Sequence, residues 1–235
     1  MNTATSYLGL RLPHPFIIGA SPMAYTLDGI RKLEDAGAAA VVLHSLFEEQ
    51  ITASRENRVS HADRSDPAFA DIVRHFPAPS EYPLGPDAYA RHIDQAKRHV
   101  RIPIIGSLNG ATGEAWLRFA QVIEQAGADA IEINIYDVIT DLDASAAAVE
   151  DRLVAIVKDL KRVLRIPVAL KLSPYFTAFG NVAKRLDAAG VDGLVLFNRF
   201  YQPDIDIKTS EPAPQAELSG SQELLLRLHW MAILH

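Results

Sequence analysis

The feature that most constrains the fold is the alternation of short apolar runs with segments of helical periodicity. Most of the runs are rich in valine and isoleucine and too short for helices, which is typical of parallel strands buried on both faces. They lie at residues 15–20, 39–44, 102–108, 130–136, 166–172 and 193–198, and a seventh run covers residues 230–234. Helical spacing occupies residues 27–36, 85–100, 113–126, 144–163, 180–189 and 221–228.

This alternation indicates right-handed strand–helix–strand crossovers, and therefore an α/β protein. Gly37, Gly127 and Gly190 follow three of the helical segments, where a left-handed residue commonly ends a helix. The turn after the first run reads Gly19-Ala-Ser-Pro-Met, without the Gly-x-Gly-x-x-Gly pattern of an open dinucleotide-binding sheet. We therefore predict a single domain over residues 1–235, an incomplete (β/α)8 TIM barrel with about seven strands.

Composition and charge narrow the classes of partner. The net charge is −6 and no Lys/Arg-rich block occurs, which argues against binding to nucleic acid. No apolar stretch reaches the roughly 18 residues of a membrane span. The absence of cysteine excludes disulfides, thiolate metal sites and a thiol nucleophile. We expect a cytoplasmic protein that acts on a small molecule.

Two long connections interrupt the regular alternation. Residues 45–84 lack clear periodicity and follow the second run, and residues 199–219 follow the sixth. Long loops inside a compact domain are usually functional. Because both would leave the carboxyl ends of strands, they would lie on the face where such barrels place their sites.

Polar residues inside two of the apolar runs mark the candidate site. Glu132 and Asn134 alternate with isoleucines, and Lys171 lies between Leu170 and Leu172. A buried charge costs several kcal/mol unless an opposite charge pairs with it. Two interpretations remain open.

The first interpretation is an ion pair between Glu132 and Lys171 that fills the barrel. The second is an anionic ligand above the barrel, held by Asn134, Lys171 and Asn198. The histidines show no metal-ligand spacing, so no metal site is expected.

Several phrases along the chain resemble one family. They are Gly19-Ala-Ser-Pro, Ser107-Leu-Asn-Gly, Ala128-Asp-Ala-Ile-Glu-Ile-Asn, Leu170-Lys-Leu-Ser-Pro-Tyr-Phe and Phe197-Asn. Their order resembles the class 1 dihydroorotate dehydrogenases, and more narrowly the dihydroorotate dehydrogenase-like branch. The resemblance covers nearly the whole chain. It implies an FMN-dependent oxidoreductase that oxidises a CH–CH bond, converting dihydroorotate or a related small molecule in pyrimidine biosynthesis.

The resemblance also implies roles for individual residues. FMN would lie over the barrel mouth, with the turn at Ala20 and Ser21 facing the flavin ring. Lys171 would sit near flavin N1 and O2, where a cation stabilises the reduced ring. Asn134 would bind flavin or substrate, and Asn198 would bind substrate. A general base would remove a proton while hydride passes from the neighbouring carbon to flavin N5.

Two positions depart from the family pattern. The family usually has a lysine at the end of the second strand, where this chain has His44, a weaker and pH-dependent cation. The family's base, a Cys or Ser, falls on Asp137, which the resemblance therefore makes the candidate catalytic base. A carboxylate of ordinary pKa near 4 is a poor base unless burial raises that pKa. A solvated aspartate at the start of a loop is the alternative interpretation.

The last predicted strand begins at Trp230 and the sequence ends at His235. In the resembled family, glycine-rich turns after strands seven and eight hold the FMN phosphate. We therefore expect a C-terminally truncated barrel whose protein partner is a second copy or a complementing C-terminal fragment. Two other functions are compatible with the residues: a non-catalytic barrel remnant, and a barrel aldolase or lyase that uses Lys171 as a Schiff-base amine.

Overall fold

The computed structural model describes residues 2–47, 85–109, 113–135, 139–198, 204–209, 211–213 and 220–235. Within these ranges the central element is a parallel sheet of five strands in the order β3–β4–β5–β6–β7. These strands are Val41–Phe47 (β3), Ile104–Asn109 (β4), Ala130–Asn134 (β5), Val168–Leu172 (β6) and Gly193–Leu196 (β7). Consecutive strands are neighbours, as in one arc of a (β/α)8 barrel.

Helices connect the strands. They are Leu27–Asp35 (α1), Pro86–His99 (α2), Gly113–Gln125 (α3), Ala146–Val163 (α4) and Phe179–Ala188 (α5). The sequence prediction of these five helices is confirmed, with every boundary within two residues. Thr26 and Ser145 cap α1 and α4 by accepting hydrogen bonds from backbone N–H groups of the first turn.

The first predicted strand, residues 15–20, is present in reduced form. Ile18 makes a parallel bridge with Val41 of β3. Its N–H donates to the Ala40 carbonyl at 3.0 Å, and its own carbonyl accepts from Val42 N–H at 2.8 Å. Pro15 and Pro22 lack the backbone N–H that a longer ladder would need.

The prediction of a seventh strand at residues 230–234 is wrong. These residues belong to a helix, Glu223–Leu234 (α6), which also contains most of the predicted helix at 221–228. The segment is apolar on nearly every side, so its pattern does not distinguish helix from strand. Its leucines, methionine and alanine are strong helix formers, and this propensity decides the outcome.

The sheet has two differently packed faces. One face carries Ile131, Ile133, Leu170 and Leu172, which pack with residues of the helices in a large buried cluster. Here Gly106 leaves room for α3, since a Cβ at this position would lie 2.3 Å from Ile123 Cγ2.

The opposite face is the interior of the barrel arc. Its lower part is covered by an antiparallel hairpin of Thr5–Tyr7 (β1) and Leu10–Leu12 (β2). Leu8 and Leu12 of the hairpin pack against small and branched residues of the strands, namely Ala40, Val42, Ile105, Ala130 and Ala169. Gly193 permits this close approach, because a Cβ there would meet Leu8 Cδ2 at 2.8 Å. The hairpin therefore forms an apolar floor under the interior.

The two long connections are described in part. β3 continues through Phe47, so the predicted loop at 45–84 begins later than expected, and residues 48–84 lie outside the described ranges. After β7, Asp204–Asp206 (β8) and Glu211–Ala213 (β9) form a short antiparallel pair.

Candidate functional site

The polar side chains of the interior face lie in two successive register rows of the sheet, together with small or apolar residues. The lower row joins Ser107, Glu132, Ala169 and Gly193 as register partners on β4 to β7. The upper row joins Asn109, Asn134, Lys171 and Val195 in the same way. Residues paired across parallel strands share a face. Glu132, Asn134 and Lys171 are thus brought together above the apolar floor, as the sequence predicts.

Glu132 and Lys171 form an ion pair across β5 and β6. Lys171 Nζ lies 3.7 Å from Glu132 Oε1, and the two side chains are 23% and 7% exposed. Burial raises the pKa of Glu132, and the ammonium of Lys171 opposes that rise. The distance is too long for a hydrogen bond, so the interaction is electrostatic.

Four buried side-chain atoms have no hydrogen-bond partner among the described residues. They are Ser21 Oγ, His44 Nδ1, Glu132 Oε1 and Asn134 Oδ1. A buried oxygen without a partner costs about 1–3 kcal/mol, so native proteins usually satisfy it or use it. Two of these atoms lie on adjacent positions of the same face of β5, which is the pattern of a ligand site.

Asn198 lies at the same end of the sheet, but its amide has structural partners. Asn198 Nδ2 donates to the Ile135 carbonyl at 2.9 Å and to the Lys171 carbonyl at 3.3 Å. Its backbone N–H donates to the Leu172 carbonyl at 2.7 Å. Asn198 therefore ties together the ends of β5 and β6, and its predicted contact with substrate stays a prediction.

His44 is not the pH-dependent cation expected from the sequence. The register of β3 shifts between Val42 and Ser45, and the His44 ring packs edge-on against Tyr25 and Tyr89, at 4.6 and 5.1 Å between ring centroids. Burial, with a contribution from His92, lowers the pKa of His44 to about 3. His44 is thus a neutral side chain in an aromatic cluster at physiological pH, and its contact with a cofactor stays a prediction.

Tyr89 is a residue near the site that the sequence does not reveal. Its ring is fully buried, and its hydroxyl accepts a hydrogen bond from Ser107 N–H at 2.9 Å. The hydroxyl lies 2.9 Å from the His44 carbonyl and 3.2 Å from the Ser107 carbonyl, to which it can donate. Tyr89 therefore replaces ladder hydrogen bonds where the register of β3 shifts. Beside it, the hydroxyls of Ser45 and Ser107 form a hydrogen bond of 2.8 Å.

A separate groove of about 710 Å³ opens beside the ends of β5 and β6. Its wall includes Ile135, Leu153, Leu172 and Phe176. Leu153 and Leu172 belong to the core between sheet and helices. The groove thus lies on the opposite side of the sheet from Lys171.

The family of the chain follows from comparison with known proteins. A family model described as dihydroorotate dehydrogenase matches residues 4–222. The chain belongs to the dihydroorotate dehydrogenase family. The resemblance inferred from the sequence phrases is thereby confirmed.

Two curated relatives have the same printed name, dihydroorotate dehydrogenase B (NAD(+)), catalytic subunit. The protein from Geobacillus sp. (strain WCH70) is 34% identical over 113 residues, which are 47% of this chain and 36% of the relative. The protein from Methanocaldococcus jannaschii is 25% identical over 221 residues, which are 92% of this chain and 69% of the relative. The matched regions thus span from about a third to about two thirds of these relatives.

Among solved structures, a dihydrodipicolinate synthase family protein from Coccidioides immitis covers 79% of this chain and 53% of its own. The TM-score is 0.48 and the identity is 13%, too low for any argument about this chain.

The dihydroorotate dehydrogenase pattern also assigns Ala20, Ser21 and Asp137 to the site. Ala20 packs against the interior apolar cluster, next in sequence to Ser21, whose hydroxyl has no hydrogen-bond partner among the described residues. Asp137, the candidate base, lies outside the described residues. Among the residues that are described, no group of three or more potential ligands could hold a metal ion. No helix in the described ranges is long and apolar enough to cross a membrane.

Proposed function

We propose that this chain is an FMN-dependent oxidoreductase of the dihydroorotate dehydrogenase type. It would oxidise a CH–CH bond of dihydroorotate or a related small molecule, as a cytoplasmic enzyme of pyrimidine biosynthesis. The observation that supports this proposal best is the pairing of Lys171 and Asn134 in one register row on the interior face. A cation and an unpartnered amide oxygen then lie side by side at the candidate site.

The described residues fit an isoalloxazine ring. Such a ring has both hydrogen-bond acceptors and an N–H donor along one edge, so its site needs a donor and an acceptor together. Lys171 supplies three N–H donors and a positive charge. Asn134 Oδ1 supplies an acceptor without a partner among the described residues. Ala20 and Ser21 would contact the ring from the first strand. FMN, when bound, would supply the hydride acceptor.

Each of the candidate site residues would have its own role in this reaction. Lys171 would hold negative charge that develops at the site, and Asn134 would orient the ring or the substrate. Asp137 would act as the general base that takes the proton from the substrate carbon. Asn198 would hold the ends of β5 and β6 in position through its hydrogen bonds to their carbonyls. It would bind the substrate with its side-chain oxygen, Oδ1.

The ion pair argues against the aldolase alternative. A Schiff-base lysine attacks as a neutral amine. Lys171 instead forms an ion pair with the buried carboxylate of Glu132, at 3.7 Å. Trapping of a carbonyl compound on Lys171 by borohydride would reverse this preference.

The test of the proposed function uses the purified chain after incubation with FMN. We expect gel filtration in a buffer that contains FMN to show flavin absorbance co-eluting with the protein, and this absorbance to bleach under anaerobic conditions when dihydroorotate is added. Lys171→Met should lose most of the bound flavin, because it removes the cation beside Asn134. Lys158→Met, which changes an exposed lysine of α4, serves as the matched control and should behave as wild type.

Two results would contradict the proposal. One is a wild-type chain that retains no FMN at any concentration tested. The other is flavin binding and bleaching that are unchanged in Lys171→Met. The same chromatography gives the oligomeric state, for which we propose a homodimer or a complex with a complementing C-terminal fragment.

A further inference from the structure

Glu132 lies directly below the site and has no role in the reaction described above. We propose that Glu132 is a proton-holding and positioning residue: it keeps the ammonium of Lys171 in place while the site is empty, and it takes up a proton when an anion binds to that ammonium. This inference rests on the proposed function for the identity of the anion. The anion would be either the electron-rich ring of reduced FMN or the carboxylate of a substrate.

The first support is the geometry of the pair. Lys171 Nζ lies 3.7 Å from Glu132 Oε1, close enough for a strong electrostatic interaction and too far for a hydrogen bond. Glu132 Oε1 is buried and has no hydrogen-bond partner among the described residues. The carboxylate is therefore incompletely compensated, and it gains from any change that removes its charge.

The second support is the difference in accessibility between the two side chains. Lys171 is 23% exposed, whereas Glu132 is 7% exposed. An anion can therefore approach the ammonium from the open side while Glu132 stays beneath it. Two anions would then share one cation in a poorly solvated site, and the buried one should be neutralised. When two acidic groups share a site in this way, the pKa of one of them rises.

The third support is the set of ionisable groups that face Glu132. Tyr7 of the β1–β2 hairpin and Tyr89 of α2 both interact electrostatically with its carboxylate. Burial, and to a lesser extent Glu132, raises the pKa of Tyr7 to about 12, and burial raises the pKa of Tyr89 above its ordinary value. Both phenols thus stay neutral near pH 7.

Of Glu132 and these two tyrosines, Glu132 is the group whose charge an anion at Lys171 can change. Burial raises its pKa, and Lys171 opposes the rise. An anion at Lys171 weakens that opposition, so the pKa of Glu132 increases on binding and a proton moves from solvent to the carboxylate. By linkage, anion affinity should fall as pH rises through the interval between the two pKa values, by at most tenfold per pH unit.

The experiment has two arms, one for each source of negative charge. In the first arm, orotate is titrated into the flavin-free chain by calorimetry in two buffers of different ionisation enthalpy, which reports proton uptake directly. Uracil, which lacks the carboxylate, is the matched ligand. In the second arm, the midpoint potential of bound FMN is measured from pH 5.5 to 8. Each additional proton per two electrons steepens the dependence of potential on pH by about 30 mV per unit.

We expect proton uptake in at least one arm, and the arm in which it occurs identifies the source of the anion. Glu132→Gln should retain binding and abolish the extra proton. Glu124→Gln is the matched control, because its carboxylate accepts hydrogen bonds from the backbone N–H groups of Arg165 and Ile166, which precede β6 at the amino-terminal end of the sheet. If Glu132→Gln does not fold, the proton count of the wild-type chain at several pH values remains decisive.

The inference is overturned if the proton count is the same in wild type and Glu132→Gln, or if neither arm shows uptake in the wild type. These results are distinct from failure of the proposed function. A chain that binds no FMN but takes up a Glu132-dependent proton with orotate would retain the inference and lose the flavoenzyme. A chain that reduces FMN without a Glu132-dependent proton would do the opposite.

Discussion

The carboxylate of Asp192 lies 2.6 Å from the ammonium of Lys161 and joins helix α4 to the start of β7. The same carboxylate accepts a hydrogen bond from Val168 N–H, at the first residue of β6, at 2.8 Å. Asp129, which lies two strand–helix units earlier and just before β5, has the same arrangement with equivalent partners. Those partners are Lys97 at 2.6 Å and Ile104 N–H at 2.7 Å.

Removal of the Asp192 carboxylate should destabilise the sheet. We expect Asp192→Ala to lower the free energy of unfolding by about 1.5–3 kcal/mol, because it removes a hydrogen bond to a charged group and leaves Val168 N–H without its partner. Asp192→Asn keeps an acceptor and should lose roughly half as much. Urea denaturation measures both values. Asp159→Ala, at an exposed ion pair of α4, should change stability by less than about 0.5 kcal/mol. Equal losses in Asp192→Ala and Asp159→Ala would contradict the role given to Asp192.

Loss of the Tyr89 hydroxyl should weaken the β3–β4 junction. Tyr89→Phe keeps the ring but leaves Ser107 N–H without its acceptor. We expect a loss of about 1–3 kcal/mol in denaturant unfolding. Asp159→Ala, at an exposed ion pair of α4, serves again as the control and should change stability by less than about 0.5 kcal/mol. A Tyr89→Phe variant as stable as wild type would show that the hydroxyl has no such role.

A methyl group at Gly193 should disturb the packing of the β1–β2 hairpin against the sheet. The new Cβ would lie 2.8 Å from Leu8 Cδ2, so the leucine or the hairpin must shift. Overpacking of this kind costs about 1–3 kcal/mol. Gly180→Ala in α5 meets nothing within 4 Å and should stabilise the helix by up to about 1 kcal/mol. Thermal unfolding of both variants checks the predicted opposite signs.

Replacement of Lys171 should destabilise the chain in a pH-dependent manner. Lys171→Met leaves Glu132 without the cation that opposes the rise of its pKa, so that pKa moves further above the unfolded value of about 4.3. The folded state then binds more protons than the unfolded state, and stability falls as pH rises from the unfolded pKa through the folded one.

For Lys171→Met, we therefore expect little loss near pH 4.5 and a loss of about 2 kcal/mol near pH 8. Urea unfolding at both pH values measures the difference from wild type. Lys158→Met should show no such pH dependence. A loss that is constant across this range would indicate that Lys171 contributes packing rather than charge.

Much of this architecture is predictable from local patterns. The five parallel strands follow from short valine- and isoleucine-rich runs, and the helices between them follow from apolar spacing with glycine at their ends. The interior polar face follows from the alternation of Glu132 and Asn134 with isoleucines. Their proximity to Lys171 follows from the topology, since equivalent positions of neighbouring parallel strands share a face.

The wrong or missed predictions concern features that the hydrophobic pattern of the sequence does not determine. Residues of α6 are apolar on nearly every side of the helix, so their periodicity does not distinguish helix from strand at Trp230. The orientation of His44 depends on the register shift of β3 between Val42 and Ser45. A register shift of one residue moves a side chain to the other face of the sheet. The role of Tyr89 depends on the same irregularity, which leaves backbone groups that its hydroxyl satisfies.

The two-residue alternation along β5 supplies both the polar residues of the candidate site and the apolar residues of the core. Glu132 and Asn134 point toward the interior, and Ile131 and Ile133 contribute to the core beneath the helices. Deletion of one residue within β5 before Glu132 would exchange the two faces. A carboxylate would then lie in the apolar core, and isoleucines would lie at the candidate site. Evolution of this strand can thus proceed by replacement, while changes of its length must come in multiples of two residues.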